Sequence, residues 1–329
     1  MNRLQVFVLA ILLAFMTLTG CADEQAVSTL TAGRIVPLEN FKSESGFEKD
    51  ISVWLPPDYS EDQKYAVLYM QDGQEIFDAS VTLFNQEWRA DEVSAQLMSE
   101  GIVRDFIIVG IHHAGTGRFS EYLPQKPYMS IPETERREFS EIEMPFGGKL
   151  FENEIHSDSY LRFLVEELKP YIDQNFPVLS DQGNTFVMGS SMGGLISIYA
   201  ISEYPDIFGG AACLSTHWPG SMSLESNPFW AAMLSYLEAN LPSPQNHRIY
   251  FDHGSEGLDV MYGAIQQQVD ELMRAKGFDE TNWITRTFPG ADHTPIDWGE
   301  RLHLPMTFLL QAPSGGVREA ELVIDNVQE

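Results

Sequence analysis

The chain has 329 residues and a formal net charge of −28, because it contains 48 acidic residues but only 20 lysines and arginines. An acidic balance of this size argues against binding to nucleic acid and against membrane contact through a polybasic patch. No Cys/His cluster has zinc-ligand spacing and no Gly-rich phosphate loop is present. The sequence therefore implies neither a metal nor an organic cofactor.

Residues 1–20 have the pattern of a targeting segment. Arg3 supplies a positive charge, and residues 4–18 form an uncharged, largely apolar run that is too short for a transmembrane helix. The sequence Leu-Thr-Gly-Cys that ends at Cys21 resembles a bacterial lipobox, in which the cysteine becomes the first mature residue and carries acyl chains. We predict a lipoprotein signal peptide and lipidation at Cys21. The alternative is an ordinary secretory signal that is cut before this cysteine.

A lipidated Cys21 would anchor the protein in the cell envelope, since each buried CH₂ contributes about 0.8 kcal/mol. Ala22 follows the cysteine, which by resemblance to enterobacterial sorting rules favours the outer membrane. Residues 21–33 are predicted to form a tether, and the acidic residues 312–329 a peripheral tail. Cys213 then lacks a disulfide partner and is predicted to be a small buried hydrophobe.

Between the two ends, apolar runs that predict strands alternate with helical patterns. Strands are predicted at Ile51–Leu55, Tyr65–Tyr69, Phe106–Ile111, Thr185–Met188, Gly210–Leu214, Ile249–Phe251 and Trp283–Phe288. Helices are predicted at Glu87–Met98, Tyr160–Ile172, Leu195–Ile201 and Leu258–Lys276. The pattern indicates an α/β domain over residues 34–311, with a mostly parallel sheet and helices on both faces. The first two strands are close enough in sequence to pair as an antiparallel meander.

Residues 115–157 interrupt this alternation and are rich in proline, glutamate and aromatic residues. A long irregular segment inside a compact domain is usually functional. We interpret it as an insertion near the mouth of the active site. The alternative is a structural wrap over a sheet edge.

The most informative motif is Gly189-Ser-Ser-Met-Gly-Gly194, which fits G-x-S-x-G with Ser191 at its centre. An apolar run precedes it and a helical pattern follows it, and a nucleophile elbow requires this strand–turn–helix context. Gly189 and Gly193 lack a Cβ, so the strand and the helix can approach closely. The motif predicts that Ser191 is a catalytic nucleophile. The alternative is a plain Gly-rich turn.

A serine nucleophile needs a histidine base, which should follow a late strand. The histidines after the motif are His217, His247, His253, His293 and His303. His293 directly follows the last predicted strand, where a Pro-Gly turn can bring its imidazole back over the sheet. The others come too early, precede a strand or fall within the closing helix. We predict His293 as the base.

The acid that orients the base should follow the preceding strand. Asp252, Glu256 and Asp259 compete for this role. Asp252 is still close to its strand and is predicted to order the turn. Asp259 is favoured over Glu256, although it could instead be a first-turn residue that the helix dipole favours. Both remain candidates.

An oxyanion hole needs two backbone N–H groups. The N–H of Met192, directly after the nucleophile, is one of them. The sequence Tyr69-Met-Gln-Asp-Gly-Gln74 follows an early strand, and the N–H of Gln74 is predicted to be the second. The alternative for this loop is an ordinary Asp-Gly turn.

The chain resembles the putative esterase family of α/β-hydrolases. This family includes esterase D-type S-formylglutathione hydrolases, enterochelin esterases, feruloyl and acetyl-xylan esterases, and mycolyltransferases. The segments that carry the resemblance are Tyr69–Gln74, Phe77-Asp78, Val109–Ile111, Arg118–Pro124, Glu167–Pro170, Gly189–Gly194, Tyr204–Phe208, Phe251–Gly254 and Pro289–His293. The resemblance implies the α/β-hydrolase fold, the triad Ser191–acid–His293, and an oxyanion hole at Gln74 and Met192. Family members often have histidine where Gln71 stands.

These observations predict a serine carboxylesterase of the cell envelope that acts on a small-molecule or oligosaccharide ester. Polysaccharide acyl, feruloyl and siderophore esters are the candidate substrates. The global negative charge disfavours an anionic siderophore unless Arg118, Arg136 or Arg137 forms a positive patch. Trp218 could stack on a sugar or aryl ring, although a core role is the commoner one. The alternatives are an acyltransferase to a sugar acceptor and a non-catalytic glycan-binding protein.

Overall fold

The computed structural model describes residues 30–44, 46–82, 85–142, 149–151, 153–222 and 227–311. The predicted signal peptide, Cys21 and the tail 312–329 lie outside the described residues. The last part of the predicted tether belongs to the domain: the N–H groups of Thr31 and Ala32 donate to Asp91 Oδ2 at 3.0 and 3.2 Å. Within the described residues, no helix is both long and apolar enough to span a membrane.

One sheet of eight strands forms the centre of the fold. The strands are β1 Arg34–Lys42, β2 Glu48–Leu55, β3 Ala66–Gln71, β4 Phe106–Ile111, β5 Thr185–Ser190, β6 Gly210–Leu214, β7 Arg248–Gly254 and β8 Trp283–Phe288. Their order is β1-β2-β4-β3-β5-β6-β7-β8. The pairs β1–β2 and β2–β4 are antiparallel. The remaining neighbours, β4–β3, β3–β5, β5–β6, β6–β7 and β7–β8, are all parallel. The prediction of a mostly parallel α/β sheet is confirmed.

The predicted meander of the first two strands is wrong. β4 lies between β2 and β3, with Trp54 opposite Ile108 on one side and Leu68 opposite Ile108 on the other. All six residues of β3 are buried. A strand that is buried on both faces is typical of the interior of a parallel sheet, where it has a parallel neighbour on each side. The sequence also missed β1, an edge strand in which no residue is buried and polar residues interrupt the apolar ones.

Eleven α-helical segments are described around the sheet. They are α1 Ala90–Ser99, α2 Arg118–Tyr122, α3 Gln125–Ser130, α4 Glu133–Ser140, α5 Ser157–Arg162, α6 Lys169–Asn175, α7 Met192–Glu203, α8 Pro228–Asn240, α9 Gly263–Ala275, α10 Pro295–Arg301 and α11 His303–Leu309. Short 3₁₀ helices occur at Gly73–Glu75, Ala79–Val81, Gly115–Gly117, Gln182–Asn184 and Gly257–Met261. The predicted helix Leu258–Lys276 is therefore divided at Tyr262 into a 3₁₀ turn and α9.

A π-helical turn, Phe163–Leu168, joins α5 to α6. Pro170 lies in the last turn of the predicted helix Tyr160–Ile172, where a proline is expected to distort it, and the structure has the distortion one turn earlier. Proline has no N–H and its ring collides with the carbonyl four residues before it. The wider turn relieves that collision, and the N–H of Lys169 bonds Leu164 O instead. The predicted helix over Tyr160–Ile172 is thus continuous but not regular.

The segment 115–157 is more regular than the sequence indicates, because α2, α3 and α4 lie within it. Its short helices carry too few periodic apolar positions to stand out among the prolines. Phe139 of α4 packs against Phe229 of α8 with ring centroids 5.9 Å apart. The segment therefore has its own hydrophobic contacts with the domain.

Helices cover both faces of the sheet, as predicted. Successive strand residues point to opposite faces, so Val187 packs into one core and its neighbour Met188 into the other. The first core includes residues of α7, α8 and α9, and the second includes residues of α1 and α11. Cys213 is fully buried in the first core, as predicted.

Candidate active site

The chain turns sharply from β5 into α7 at Ser191. This residue has φ 57° and ψ −122°, a conformation that costs a residue with a side chain about 1–3 kcal/mol. Its N–H donates to Leu214 O at 2.9 Å, and its carbonyl accepts from the N–H of His217 at 3.1 Å. The structure confirms the strand–turn–helix context that the motif predicts. These hydrogen bonds hold Ser191 in its strained backbone conformation, and such a strained turn between a strand and a helix is typical of a nucleophile elbow.

The two glycines of the motif allow the close approach that was expected. A Cβ on Gly189 would lie 2.6 Å from the carbonyl carbon and oxygen of Gly193. A Cβ on Gly193 would lie 3.0 Å from Asp72 Oδ2 and 3.1 Å from Gln71 Cβ. The loop after β3 therefore lies directly against the elbow.

The loops after β7 and β8 bring a carboxylate and an imidazole together. Nδ1 of His293 lies 2.5 Å from Asp259 Oδ1, and Asp259 Oδ2 accepts from the N–H of Gly254 at 2.6 Å. Glu256 is exposed and makes no such contact. The structure thus pairs Asp259, the favoured acid, with the predicted base, and does not support Glu256.

The environment of Asp259 keeps it ionised. Burial raises its pKa, but the hydrogen bonds from His293, Ser215 and Gly254 outweigh burial and lower it overall. The ring of His293 also packs edge-on against Trp298, with centroids 4.9 Å apart. An ionised acid on Nδ1 fixes the tautomer that leaves Nε2 of His293 free to accept a proton.

A second histidine, His217, lies beside the elbow, although the sequence argument set it aside as too early in the chain. It is buried, and its Nδ1 lies 2.7 Å from the hydroxyl of Tyr262. Burial, followed by the nearby charges of His293 and Arg118, lowers the pKa of His217 to about 3. It is therefore a neutral side chain of the site.

The residues predicted to form the oxyanion hole begin α7 and follow β3, and these two parts of the chain meet at the elbow. Met192 is the first residue of α7, and a first-turn N–H has no acceptor within its own helix. Gln74 lies in the 3₁₀ turn after β3, which begins beyond Asp72, and its side-chain Oε1 accepts from the N–H of His113 at 3.2 Å. Their role at an oxyanion stays a prediction.

Arg118 does not form the free positive patch that the sequence allowed. Its Nε and Nη2 donate to Oδ1 and Oδ2 of Asp72, each at 2.7 Å, and Nη2 lies 3.4 Å from Ser190 O. Burial lowers the pKa of this guanidinium, but the carboxylate of Asp72 more than reverses that effect. This ion pair joins α2 of the insertion to the loop after β3 and to the end of β5.

Three other side chains considered for ligand contact are also engaged elsewhere. Trp218 is completely buried, and its Nε1 donates to Gln266 Oε1 at 3.0 Å, so it belongs to the core. Arg137 forms an exposed ion pair with Glu133 at 3.1 Å. Arg136 stacks over the ring of Tyr128.

Sequence reasoning missed Ser215, which follows β6 directly. Its hydroxyl lies 2.6 Å from Asp259 Oδ2, 2.9 Å from Arg301 Nη2 and 3.0 Å from Trp298 Nε1. Its position one residue beyond a buried parallel strand is the one signal that the sequence offers. Among the described residues, no group of three or more His, Cys, Asp and Glu side chains is arranged to hold a metal ion.

The family described as "Putative esterase" matches residues 43–303, which is most of the chain. The chain belongs to this family. It is an ester hydrolase with the α/β-hydrolase fold, as the sequence predicted. The non-catalytic alternative is therefore set aside.

This esterase shares 17–26% identity with three similar proteins. It is 26% identical over 251 residues to YbbA of Bacillus subtilis, covering 74% of this chain and 84% of YbbA. It matches the ferulic acid esterase AmCE1/Fae1A of Anaeromyces mucronatus with a TM-score of 0.55 at 20% identity, covering 88% of this chain and 97% of that chain. It matches the enterobactin esterase FES of Shigella flexneri with a TM-score of 0.58 at 17% identity, covering 86% of this chain and 60% of that chain. The two structural likenesses show the shared fold.

Proposed function

We propose that this esterase is a serine carboxylesterase of the cell envelope, which cleaves neutral acyl esters of carbohydrate through an acyl-enzyme on Ser191. The observation that carries the proposal is the 2.5 Å contact between Asp259 Oδ1 and His293 Nδ1. The N–H of His217 donates to Ser191 O at 3.1 Å. Tyr262 contacts both histidines, with its hydroxyl 2.7 Å from Nδ1 of His217 and its ring centroid 5.9 Å from that of His293. Nucleophile, base and acid therefore share one end of the sheet.

In this mechanism, Oγ of Ser191 attacks the ester carbonyl carbon while its proton passes to Nε2 of His293, which Asp259 holds through Nδ1. The carbonyl oxygen becomes an oxyanion and accepts the N–H groups of Met192 and Gln74. The protonated imidazole then protonates the alcohol oxygen, which leaves, and the acyl group remains on the serine. Water gives a proton to the imidazole and attacks the acyl-enzyme; the imidazolium then returns this proton to Oγ of Ser191 as the carboxylic acid leaves.

The charges at the site favour a neutral substrate over a polyanionic one. The guanidinium of Arg118 is bound by both oxygens of Asp72, and that of Arg301 is bound to Asp252 at 3.1 Å. Neither offers unbalanced positive charge, and a chain with net charge −28 does not attract anions by its overall field. Acetyl or feruloyl esters of polysaccharide fragments therefore fit better than a ferric siderophore.

The proposed location depends on the sequence around Cys21, which lies outside the described residues. We expect radiolabelled palmitate to be incorporated into the full chain in growing cells, and Cys21→Ala to abolish incorporation. Incorporation that is equal in both proteins, or absent from both, would contradict the lipid anchor.

The catalytic proposal is tested by hydrolysis of p-nitrophenyl acetate by the full chain in detergent. Ser191→Ala should lower kcat by at least about 10³-fold, and Asp259→Asn by about 10³–10⁴-fold, because the imidazole then adopts the wrong tautomer. Glu256→Gln is the matched control and should stay within about twofold of wild type. Equal rates for wild type and Ser191→Ala would refute the mechanism.

The substrate class is tested with a panel of acetyl-xylan, feruloyl-oligosaccharide and catecholate siderophore esters. We expect kcat/KM to be highest for a neutral carbohydrate ester. A preference for the siderophore ester would overturn the charge argument. Product analysis with an excess of free sugar distinguishes hydrolysis from acyl transfer.

A further inference from the structure

The hydroxyl of Ser215 contacts three different groups, and together they determine where its proton lies. Nε1 of Trp298 and Nη2 of Arg301 approach the oxygen at 3.0 and 2.9 Å. An indole N–H and a guanidinium can only donate, so they occupy the two lone pairs of the hydroxyl. The remaining contact, Asp259 Oδ2 at 2.6 Å, must therefore receive the serine proton.

The groups behind this hydroxyl are themselves fixed. Arg301 is almost fully buried, and its Nη2 also donates to Oδ1 of Asp252 at 3.1 Å. Asp252 in turn accepts from the hydroxyl of Tyr250 at 3.1 Å and from the N–H of Ser215 at 3.3 Å. These hydrogen bonds link Ser215, Arg301 and Asp252 into one buried network, in which Nε of Arg301 has no partner among the described residues. Such a network restricts its members to few arrangements.

The backbone of Ser215 adopts a conformation that needs support. Its φ is 42°, in the left-handed region that residues with a side chain rarely occupy. Its N–H donates to the carbonyl of Asp252 at 2.8 Å, which ties it to β7. In this conformation the hydroxyl donates to Asp259 Oδ2 at 2.6 Å.

We propose that Ser215 is a positioning residue of the esterase: its hydroxyl, held by Arg301 and Trp298, locks the carboxylate of Asp259 in the orientation that pairs with His293. The inference rests on the proposed function, because it assigns Ser215 an effect through the acid of that site. If the Ser215 hydroxyl is removed, Oδ2 of Asp259 keeps one hydrogen-bond donor among the described residues, the N–H of Gly254. Without the hydroxyl, the carboxylate gains freedom to rotate away from the imidazole.

The test is a double-mutant cycle on the full chain with p-nitrophenyl acetate. Ser215→Ala should lower kcat by about 10- to 100-fold while KM stays within about threefold, since the binding surface is unchanged. In an Asp259→Ala background the same substitution should cost less than about threefold, because the group on which it acts is gone. Ser202→Ala removes a buried hydroxyl that bonds Ile198 O and is the matched control.

Ser215→Gly is a second variant that keeps the test decisive if Ser215→Ala does not fold, because glycine adopts a positive φ without strain. The proposal is overturned if a folded Ser215 variant keeps kcat within threefold of wild type. It is also overturned if the loss is the same with and without Asp259, since a general structural role would act independently of the acid. If Asp259→Ala itself leaves kcat unchanged, the proposed catalytic triad fails instead.

Discussion

Replacing Gly189 by alanine should disrupt the elbow through a defined steric conflict. The added Cβ would lie 2.6 Å from two backbone atoms of Gly193, whereas ordinary contact begins at 3.4 Å. A gap of about 0.8 Å must therefore open between strand and helix, and both flank Ser191. Misplacement on this scale costs about 10²-fold in rate. Overpacking of this kind destabilises a protein by about 1–3 kcal/mol.

Two other glycines provide a graded comparison. A Cβ on Gly193 would meet side-chain atoms of Asp72 and Gln71 at 3.0 and 3.1 Å, so we expect an intermediate loss of about 10-fold. A Cβ on Gly263, the first residue of α9, would meet its nearest atom at 3.7 Å, which is ordinary contact. Gly263→Ala should keep full activity and the wild-type stability or slightly more, because alanine favours helix.

The assay is kcat for p-nitrophenyl acetate, with Tm measured by circular dichroism. For a chain of this size, the expected destabilisation of Gly189→Ala corresponds to a fall in Tm of about 2–5 °C. The reasoning is refuted if Gly189→Ala keeps kcat within about twofold of wild type, or if the three variants do not follow the order of their contact distances.

The remaining predictions concern the ion pair at the elbow and the buried histidine. Arg118→Met should destabilise the fold by about 2–4 kcal/mol in urea unfolding, because it leaves Asp72 without its ion-pair partner in a largely buried site. Arg137→Met, in an exposed pair, should change stability by less than about 0.5 kcal/mol, and equal effects would contradict the argument. Burial, then nearby positive charge, lowers the pKa of His217 from 6.5 to about 3. Between these two pH values the unfolded chain binds more protons at this residue than the folded chain does. The free energy of unfolding therefore falls as the pH drops from 6.5 towards 3. His217→Asn should therefore lose less Tm than wild type between pH 7 and pH 4.5, and parallel curves would contradict this.

Features encoded by a few adjacent residues could be read from the sequence. The sequence predicts strands at Phe106–Ile111 and Trp283–Phe288, and β4 and β8 have these bounds. The elbow at Ser191 depends on six neighbouring residues, and the strand–turn–helix context follows from them. These features are local, because the side-chain pattern that favours a strand, a turn or a helix extends over a few consecutive residues.

Features that depend on pairing between distant segments could not be read in this way. The pattern of β2 and β3 is equally compatible with a hairpin, and the burial of β3 against both β4 and β5 decides against it. Similarly, Glu256 and Asp259 satisfy the same spacing after β7. The fold of the 3₁₀ turn Gly257–Met261 turns Asp259 inwards and leaves Glu256 in solvent.

By itself, the sequence determined the α/β class, the nucleophile elbow and the identities of the candidate serine and histidine. The tertiary structure alone decided the strand order, which carboxylate holds His293, and the network behind that carboxylate. Ser215 and Arg301 are 86 residues apart, and their contact exists because β6 and α10 pack at the same end of the sheet. The sequence pattern around a serine does not reveal the hydrogen-bond partners of its hydroxyl. The proton of the Ser215 hydroxyl could therefore be assigned only after the tertiary structure showed the donors around it.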